Sequence, residues 1–113
     1  MRRKSFWVYV LSSRSRNLYI GVTSDLVARV YQHKTKALGG FTARYNIYRL
    51  VHFEEFATAV EAIAREKELK NWRRELKTQL IERDNPAWDD LSSSWYDSLE
   101  DGSACAQEQI PTG

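Results

Sequence analysis

The sequence has little of several features that mark particular classes of protein. Its single cysteine, Cys105, can form no internal disulfide and has no companions for a metal site, which fits a reducing compartment. No apolar run approaches the roughly 20 residues of a membrane span. The apolar run after the charged start, Phe6–Leu11, is six residues long and too short for an export signal. We therefore expect a cytoplasmic protein with no membrane partner.

Basic residues are missing from one end of the chain. All 17 Lys and Arg lie in residues 1–83 together with eight acids, which gives that segment a net charge of +9. Residues 84–113 hold the other seven acids and no base, so they carry −7. A basic body with an acidic end is typical of a protein that binds a polyanion, most simply nucleic acid. A basic surface that is merely solvated is the alternative.

Length and periodicity predict one small α/β domain. A chain of 113 residues is long enough for a single modest core. Aromatic and β-branched runs predict three strands of a central antiparallel sheet, near residues 6–12, 17–22 and 47–54. Apolar residues at helical spacing predict flanking helices near 24–36, 57–71 and 74–83. The stretch 41–46 is predicted to be a connection.

The end of the chain is predicted to lie outside this domain. From residue 91 the sequence loses periodicity and gains Ser, Gly and acids, so we predict a domain over 1–90 and a disordered acidic tail over 91–113. Such a tail is expected to compete with nucleic acid for the basic body, so removing 92–113 should raise affinity at low salt. Docking of Trp95 and Tyr96 on the domain is the alternative.

Two tyrosines on the first two strands are candidates for chemistry. If the strands pair antiparallel with an even register, Tyr9 and Tyr19 lie on one face of the sheet. Gly21 shares that face and is expected to leave open space beside the two rings. Two phenols beside a gap on a rigid hairpin are suited to a reaction site, although aromatic strand residues more often form an ordinary core.

Three polar helical residues extend this candidate site. Arg29 and His33 are four residues apart, so they share one face of the first helix. An arginine there suits a phosphate, and a histidine suits proton transfer or the holding of a nucleophile. Glu66 follows small residues on the second helical region, and a lone carboxylate with open coordination suits Mg²⁺. The ordinary alternatives are solvated side chains and a Glu66–Lys70 surface pair.

Together these positions resemble the GIY-YIG nuclease superfamily over about residues 5–91. Trp7-Val8-Tyr9 and Tyr19-Ile20-Gly21 are similar to its paired signature, with the second triplet intact. Arg29 and His33 match basic positions of its first helix, and Glu66 matches its metal-binding glutamate. Small stand-alone bacterial members are the more similar group, and the segments shared with them include Gly40-Phe41-Thr42, Lys70-Asn71-Trp72-Arg73 and Asn85-Pro86-Ala87-Trp88.

The resemblance implies a GIY-YIG-like fold and metal-dependent endonuclease activity on DNA, in preference to RNA. Tyr9 would act on a water as general base or relay its proton, and Tyr19 would orient the water and the phosphate. Positive charge from Arg29, His33 and the metal would help the phenol to ionise. Arg29 would neutralise the transition state, and a single Mg²⁺ or Mn²⁺ on Glu66 would stabilise the leaving oxygen.

Two other classes of function stay open at this point. One is a catalytically inactive nucleic-acid-binding module of the same fold, and the other is a structural or interaction protein that uses its acidic tail. The superfamily also has a downstream asparagine at its site, which is Asn71 or Asn85 here, and the spacing favours Asn85. The form of the substrate and the oligomeric state are open as well.

Overall fold

The structure is a computed structural model that describes residues 4–96. Within these residues the elements follow in the order β1 (Phe6–Ser12), β2 (Leu18–Thr23), α1 (Leu26–Lys34), α2 (Gly40–Arg44), β3 (Arg49–Phe56), α3 (Ala59–Asn71) and α4 (Arg74–Asp84). The predicted α/β class with a central three-stranded antiparallel sheet is confirmed. In the described part of the chain no helix is long and apolar enough to cross a membrane.

The sheet has β1 in the centre and β2 and β3 at its two edges. Both neighbours run antiparallel to β1, and a register shift interrupts its pairing with β3 between Val10 and Leu11. Because side chains alternate along a strand, the aromatic and aliphatic residues of β1 are buried on both faces. The sheet therefore separates two apolar clusters.

Helices cover the two faces of the sheet. On one face α3 and α4 pack against the strands, with a core formed by Val8, Val10, Ile20, Val51, Ala62, Leu69, Leu80, Ile81 and Trp88. On the other face α1 and the segment before β3 do so, with a core formed by Tyr9, Leu11, Leu26, Val30, Ile47, Leu50 and Tyr96. Since α1 and α3 lie on opposite faces, their polar residues can approach one another only past a margin of the sheet.

The region between α1 and β3 differs from the prediction. Residues 41–46 are not a plain connection, because α2 begins at Gly40. Gly39 and Gly40 both have positive φ, a conformation that glycine adopts without a steric cost and that turns the chain into this helix. A helix of five residues is too short to produce a periodic pattern. The predicted start of the third strand at residue 47 is two residues early, because β3 begins at Arg49. Ile47 is apolar because it is fully buried in the core, although it lies outside the strand.

Residues 91–96 pack on the domain, so the predicted boundary at residue 90 is too early. Ser92 is fully buried, and Tyr96 is only 6% exposed. The Tyr96 hydroxyl donates a hydrogen bond of 2.7 Å to the carbonyl of Val27 in α1. A segment of turns has no periodicity, and its contacts are to distant residues, so the sequence pattern did not reveal this packing. The rest of the predicted tail, 97–113, lies outside the described residues.

Two truncations separate the packed segment from the acidic end. Removing 92–113 is expected to lower the melting temperature by roughly 5 °C or more, because buried side chains are lost. Removing 97–113 takes away four acids and no base, and is expected to leave the melting temperature unchanged and to raise affinity for DNA at low salt. Thermal melting and a DNA-binding titration of both chains measure these effects. Equal melting temperatures of the two truncated chains would contradict the packing of 92–96. Unchanged low-salt affinity of the 1–96 chain would contradict competition by the acidic end.

Candidate active site

The two tyrosines of the candidate site lie on the same face of the sheet, as predicted. Tyr9 is opposite Gly21, and Leu11 is opposite Tyr19, so the four residues share one face of the β1–β2 pair. The centroids of the two phenol rings are 6.3 Å apart. Tyr9 is almost completely buried, whereas Tyr19 is half-buried. The inner phenol is therefore shielded from solvent and the outer one is accessible.

Gly21 serves a different purpose from the one expected. A Cβ atom at this position would lie 2.5 Å from both Cζ and Oη of Tyr9, which is far inside van der Waals contact. The space over Gly21 is therefore not open: the ring of Tyr9 fills it. The glycine lets the phenol cross edge strand β2, which brings its hydroxyl towards the margin of the sheet.

His33 joins the tyrosines to α2. Its Nε2 lies 3.1 Å from the hydroxyl oxygen of Tyr9, and its Nδ1 lies 3.1 Å from Oγ1 of Thr42. The imidazole is 4% exposed and packs at 5.5 Å from the Tyr19 ring. The result is a hydrogen-bonded chain of three side chains from β1, α1 and α2, which we call the Tyr9–His33–Thr42 chain.

Thr42 belongs to the site, but the sequence did not indicate it as a site residue. It lies in the Gly40-Phe41-Thr42 segment, which attracted attention only as part of the resemblance. The structure buries Thr42 against His33 because the two glycines turn α2 towards α1. The spacing of nine residues between Thr42 and His33 has no helical or strand period, so no local pattern could have paired them.

Electrostatics at the site differ from the expectation that His33 would help the phenol to ionise. Burial, followed by the neighbouring Tyr19, raises the pKa of Tyr9 to about 12, although Arg29 acts to lower it. Burial and the positive charge of Arg29 lower the pKa of His33 below its usual value near 6.5. Near neutral pH His33 is therefore uncharged, and it can accept a proton but supplies no positive charge to the phenol.

Arg29 and Glu66 approach the site from opposite faces of the sheet. Arg29 lies on α1, which begins after Asp25, whose side chain accepts the Ala28 N–H at 3.1 Å. Its guanidinium lies near enough to the Tyr9 hydroxyl to act on the pKa of that group, and the carboxylate of Glu66 on α3 also raises it. Both charges thus act on the phenol of Tyr9. The ring of Tyr9 extends over Gly21, which brings its hydroxyl to the edge of the sheet at β2.

The carboxylate that a metal near Tyr9 could bind is that of Glu66. The described residues contain no group of three or more His, Cys, Asp or Glu side chains able to hold an ion. The side chain of Glu66 is 17% exposed, and Lys70 Nζ contacts its Oε2 at 3.1 Å. Lys70 itself is largely exposed, so solvent screens this ion pair. A single carboxylate fits Mg²⁺, which keeps several waters and binds phosphate oxygens directly.

Of the two candidate asparagines, Asn85 has a structural use. Its Nδ2 donates to the carbonyls of Val51 at 3.1 Å and Asp89 at 2.9 Å, and its Oδ1 accepts the Asp89 N–H at 3.0 Å. Both amide N–H donors are thereby used to hold the turn after α4 against β3. Asn71 is exposed at the end of α3, the helix that carries Glu66.

Comparison with known proteins places this chain in a family. A family described as the GIY-YIG catalytic domain matches residues 5–79. A UPF0213 protein of Haloquadratum walsbyi is 38% identical over 76 residues, which cover 67% of this chain and 85% of that protein. A UPF0213 protein of Bacillus pumilus is 33% identical over 82 residues, which cover 73% of this chain and 84% of that protein.

A solved structure extends the similarity to the fold. The solution NMR structure of the UPF0213 protein BH0048 from Bacillus halodurans superposes with a TM-score of 0.51 at 26% identity. The superposition covers 80% of this chain and 97% of that one. The match to residues 5–79 spans all three strands and the helices that carry Arg29, His33 and Glu66. This chain therefore belongs to the GIY-YIG catalytic domain family and is similar to UPF0213 proteins.

Proposed function

We propose that this protein is a metal-dependent endonuclease that hydrolyses phosphodiester bonds in DNA. The family is one of nucleases, and the observation that supports activity in this member is the Tyr9–His33–Thr42 chain. A buried phenol that contacts a neutral imidazole has a proton acceptor at hand. A hydrophobic core that served only for packing would not require three polar side chains hydrogen-bonded in a row.

The raised pKa of Tyr9 favours a proton relay over a standing phenolate. With a pKa of about 12, the phenol is almost fully protonated at neutral pH. In the proposed step, an attacking water gives its proton to the Tyr9 oxygen as the Tyr9 proton passes to Nε2 of His33. In this step the Nδ1–H of His33 would donate to Oγ1 of Thr42, which lies 3.1 Å away, and so would hold the ring in that tautomer. The accessible hydroxyl of Tyr19 orients the water.

The charged residues act on the phosphate. Arg29 can donate two parallel hydrogen bonds to phosphate oxygens and so neutralise the charge that develops in the transition state. Glu66 would hold the Mg²⁺ or Mn²⁺, which when bound supplies Lewis-acid stabilisation of the leaving oxygen. Water activation and charge neutralisation then come from β1, β2 and α1, and the metal ligand comes from α3.

The experiment is a cleavage assay with Mg²⁺ or Mn²⁺ over matched duplex, branched and single-stranded DNA and RNA. Glu66→Ala is the negative variant, and Glu68→Ala is its matched control, since Glu68 lies on the same helix and pairs with Arg65. We expect metal-dependent cutting of DNA that Glu68→Ala retains and Glu66→Ala loses. Binding without cleavage under every condition would instead support an inactive nucleic-acid-binding module, and absence of binding would support an interaction protein.

The relay predicts how the rate depends on pH. His33 must be neutral to accept the proton, and its pKa is lowered from the usual value near 6.5. We therefore expect kcat/KM to stay constant down to pH 6.5 and to decrease at lower pH, where His33 becomes protonated. His33→Ala is expected to remove this acidic limb and to lower the rate at pH 7.5 by about two orders of magnitude. An NMR titration of the His33 imidazole should give the same midpoint. An acidic limb that persists in His33→Ala would contradict the relay.

A further inference from the structure

A concave site separate from the candidate active site lies at the loop end of the β1–β2 hairpin. It has a cavity volume of about 210 Å³, smaller than drug-sized ligand pockets and suited to a small group. Its lining contains three arginines and no acid, and consists of Ser12, Ser13, Arg14, Arg16, Arg49, Ala87 and Trp88. None of these residues belongs to the candidate active site.

The arginines at this pocket have no anionic partner within residues 4–96. Every ion pair of that part of the chain uses other residues, and Arg14, Arg16 and Arg49 appear in none of them. Glu82 accepts the indole N–H of Trp88 and does not line the pocket. Unpaired guanidinium groups around a small cavity repel one another, and an anion between them would relieve that repulsion.

Two of the arginines are held in place by Trp88. The guanidinium of Arg16 stacks at 4.5 Å from the centroid of the Trp88 ring, and Nη2 of Arg49 donates to the Trp88 carbonyl at 3.1 Å. A guanidinium has five N–H donors, so these contacts orient the groups and leave other donors for a ligand. Arg74 adds a fourth positive charge nearby, since its Nη2 donates to the Arg16 carbonyl at 2.8 Å.

The backbone around the pocket adopts unusual conformations. Arg16 and Trp88 have φ values of 69° and 58°, in the left-handed region that residues other than glycine seldom occupy. Such conformations are strained, and they cluster at ligand-binding positions. Ser13 Oγ accepts the Asn17 N–H at 3.0 Å, which holds the hairpin loop in this shape. The pocket is thus formed before any ligand arrives.

We propose that this pocket binds a phosphate group, and that in the nuclease it holds a backbone phosphate other than the one being cut. The nucleic-acid part of this proposal rests on the proposed function. Ser12 follows Tyr9 by three residues, which is about 10 Å along an extended strand. A nucleic-acid strand passing the β2 margin can therefore reach the pocket with a neighbouring phosphate. Recognition is by charge and planar donors, so it carries no sequence preference.

Binding measured without metal tests this proposal separately from cleavage. Duplex and single-stranded oligonucleotides are titrated in EDTA over a salt series against the wild type, Arg14→Gln and Arg49→Gln. Within residues 4–96 the Arg14 side chain makes no hydrogen bond or ion pair, so its variant is not expected to disturb folding. The matched control is Arg83→Gln, because Arg83 lies outside the pocket and pairs with Asp84. Each pocket variant is expected to weaken duplex binding by about three- to tenfold and to reduce the log–log salt slope by about 0.9. The control should change affinity less than twofold.

A second titration, with inorganic phosphate, separates the possible sources of the group. Saturable amide shifts at Ser13, Arg14 and Trp88 that vanish in Arg14→Gln would support a phosphate site. If those shifts occur and the oligonucleotide slopes do not change, the site takes a free phosphate compound and the nucleic-acid part is overturned. No phosphate shifts together with unchanged slopes overturn the whole proposal. If the pocket variants bind oligonucleotides more weakly but the wild type never cleaves DNA, the phosphate site is supported and the nuclease function is rejected.

Discussion

Arg29→Ala and Glu66→Ala are each expected to lower the rate of DNA cleavage by about two orders of magnitude or more. Arg29 supplies positive charge that matters most when the phosphate gains charge in the transition state. Within residues 4–96, Glu66 is the carboxylate that acts on the pKa of Tyr9, so we expect a metal near Tyr9 to bind it. Both effects should appear in kcat more than in KM, because the lost interactions are made in the transition state.

Matched variants separate these effects from general changes of charge. Arg29→Lys keeps the positive charge but loses the planar pair of donors, so an intermediate rate is expected. Arg83→Ala and Glu68→Ala change exposed charges outside the site and should cut at the wild-type rate. Thermal melting should show that Arg29→Ala and Glu66→Ala remain folded. Cleavage that survives both substitutions would point to a different site or to a contaminating nuclease.

Gly21→Ala is expected to damage both stability and activity, although it adds a single methyl group. The new Cβ would lie 2.5 Å from Cζ and Oη of Tyr9, a residue that is only 1% exposed and is packed in the core. Overpacking of this kind costs typically about 1–3 kcal/mol in the free energy of unfolding. The displaced hydroxyl would lose its 3.1 Å contact with His33, so the cleavage rate should fall by about 100-fold.

A double-mutant cycle tests whether the damage comes from this contact. In a Tyr9→Ala background the added methyl group meets no ring, so Gly21→Ala should cost much less stability there than in the wild type. Chemical denaturation of the four chains gives the coupling free energy, which we expect to exceed about 1 kcal/mol. Additive effects, or a Gly21→Ala protein that cuts at the wild-type rate, would show that Tyr9 does not need the space over the glycine.

The sequence by itself determined most of the scaffold of the site. Strand alternation was sufficient to predict that Tyr9 and Tyr19 share a face, because side chains in paired strands repeat every two residues. Helical spacing likewise placed Arg29 and His33 on one face of α1. These predictions succeeded because each depends on local periodicity and on one hairpin. The three strands were found for the same reason, with end positions within two residues.

Only the tertiary structure decided how these residues can act. The neutral state of His33 follows from its burial and from the charge of Arg29, and its partner Thr42 comes from a short helix with no periodic signal. The packing of 91–96 on α1 depends on contacts such as the hydrogen bond from Tyr96 to Val27. Burial is the larger cause of the His33 pKa shift, and it arises from residues distant in the chain that share one small volume, a neighbourhood that no local pattern encodes.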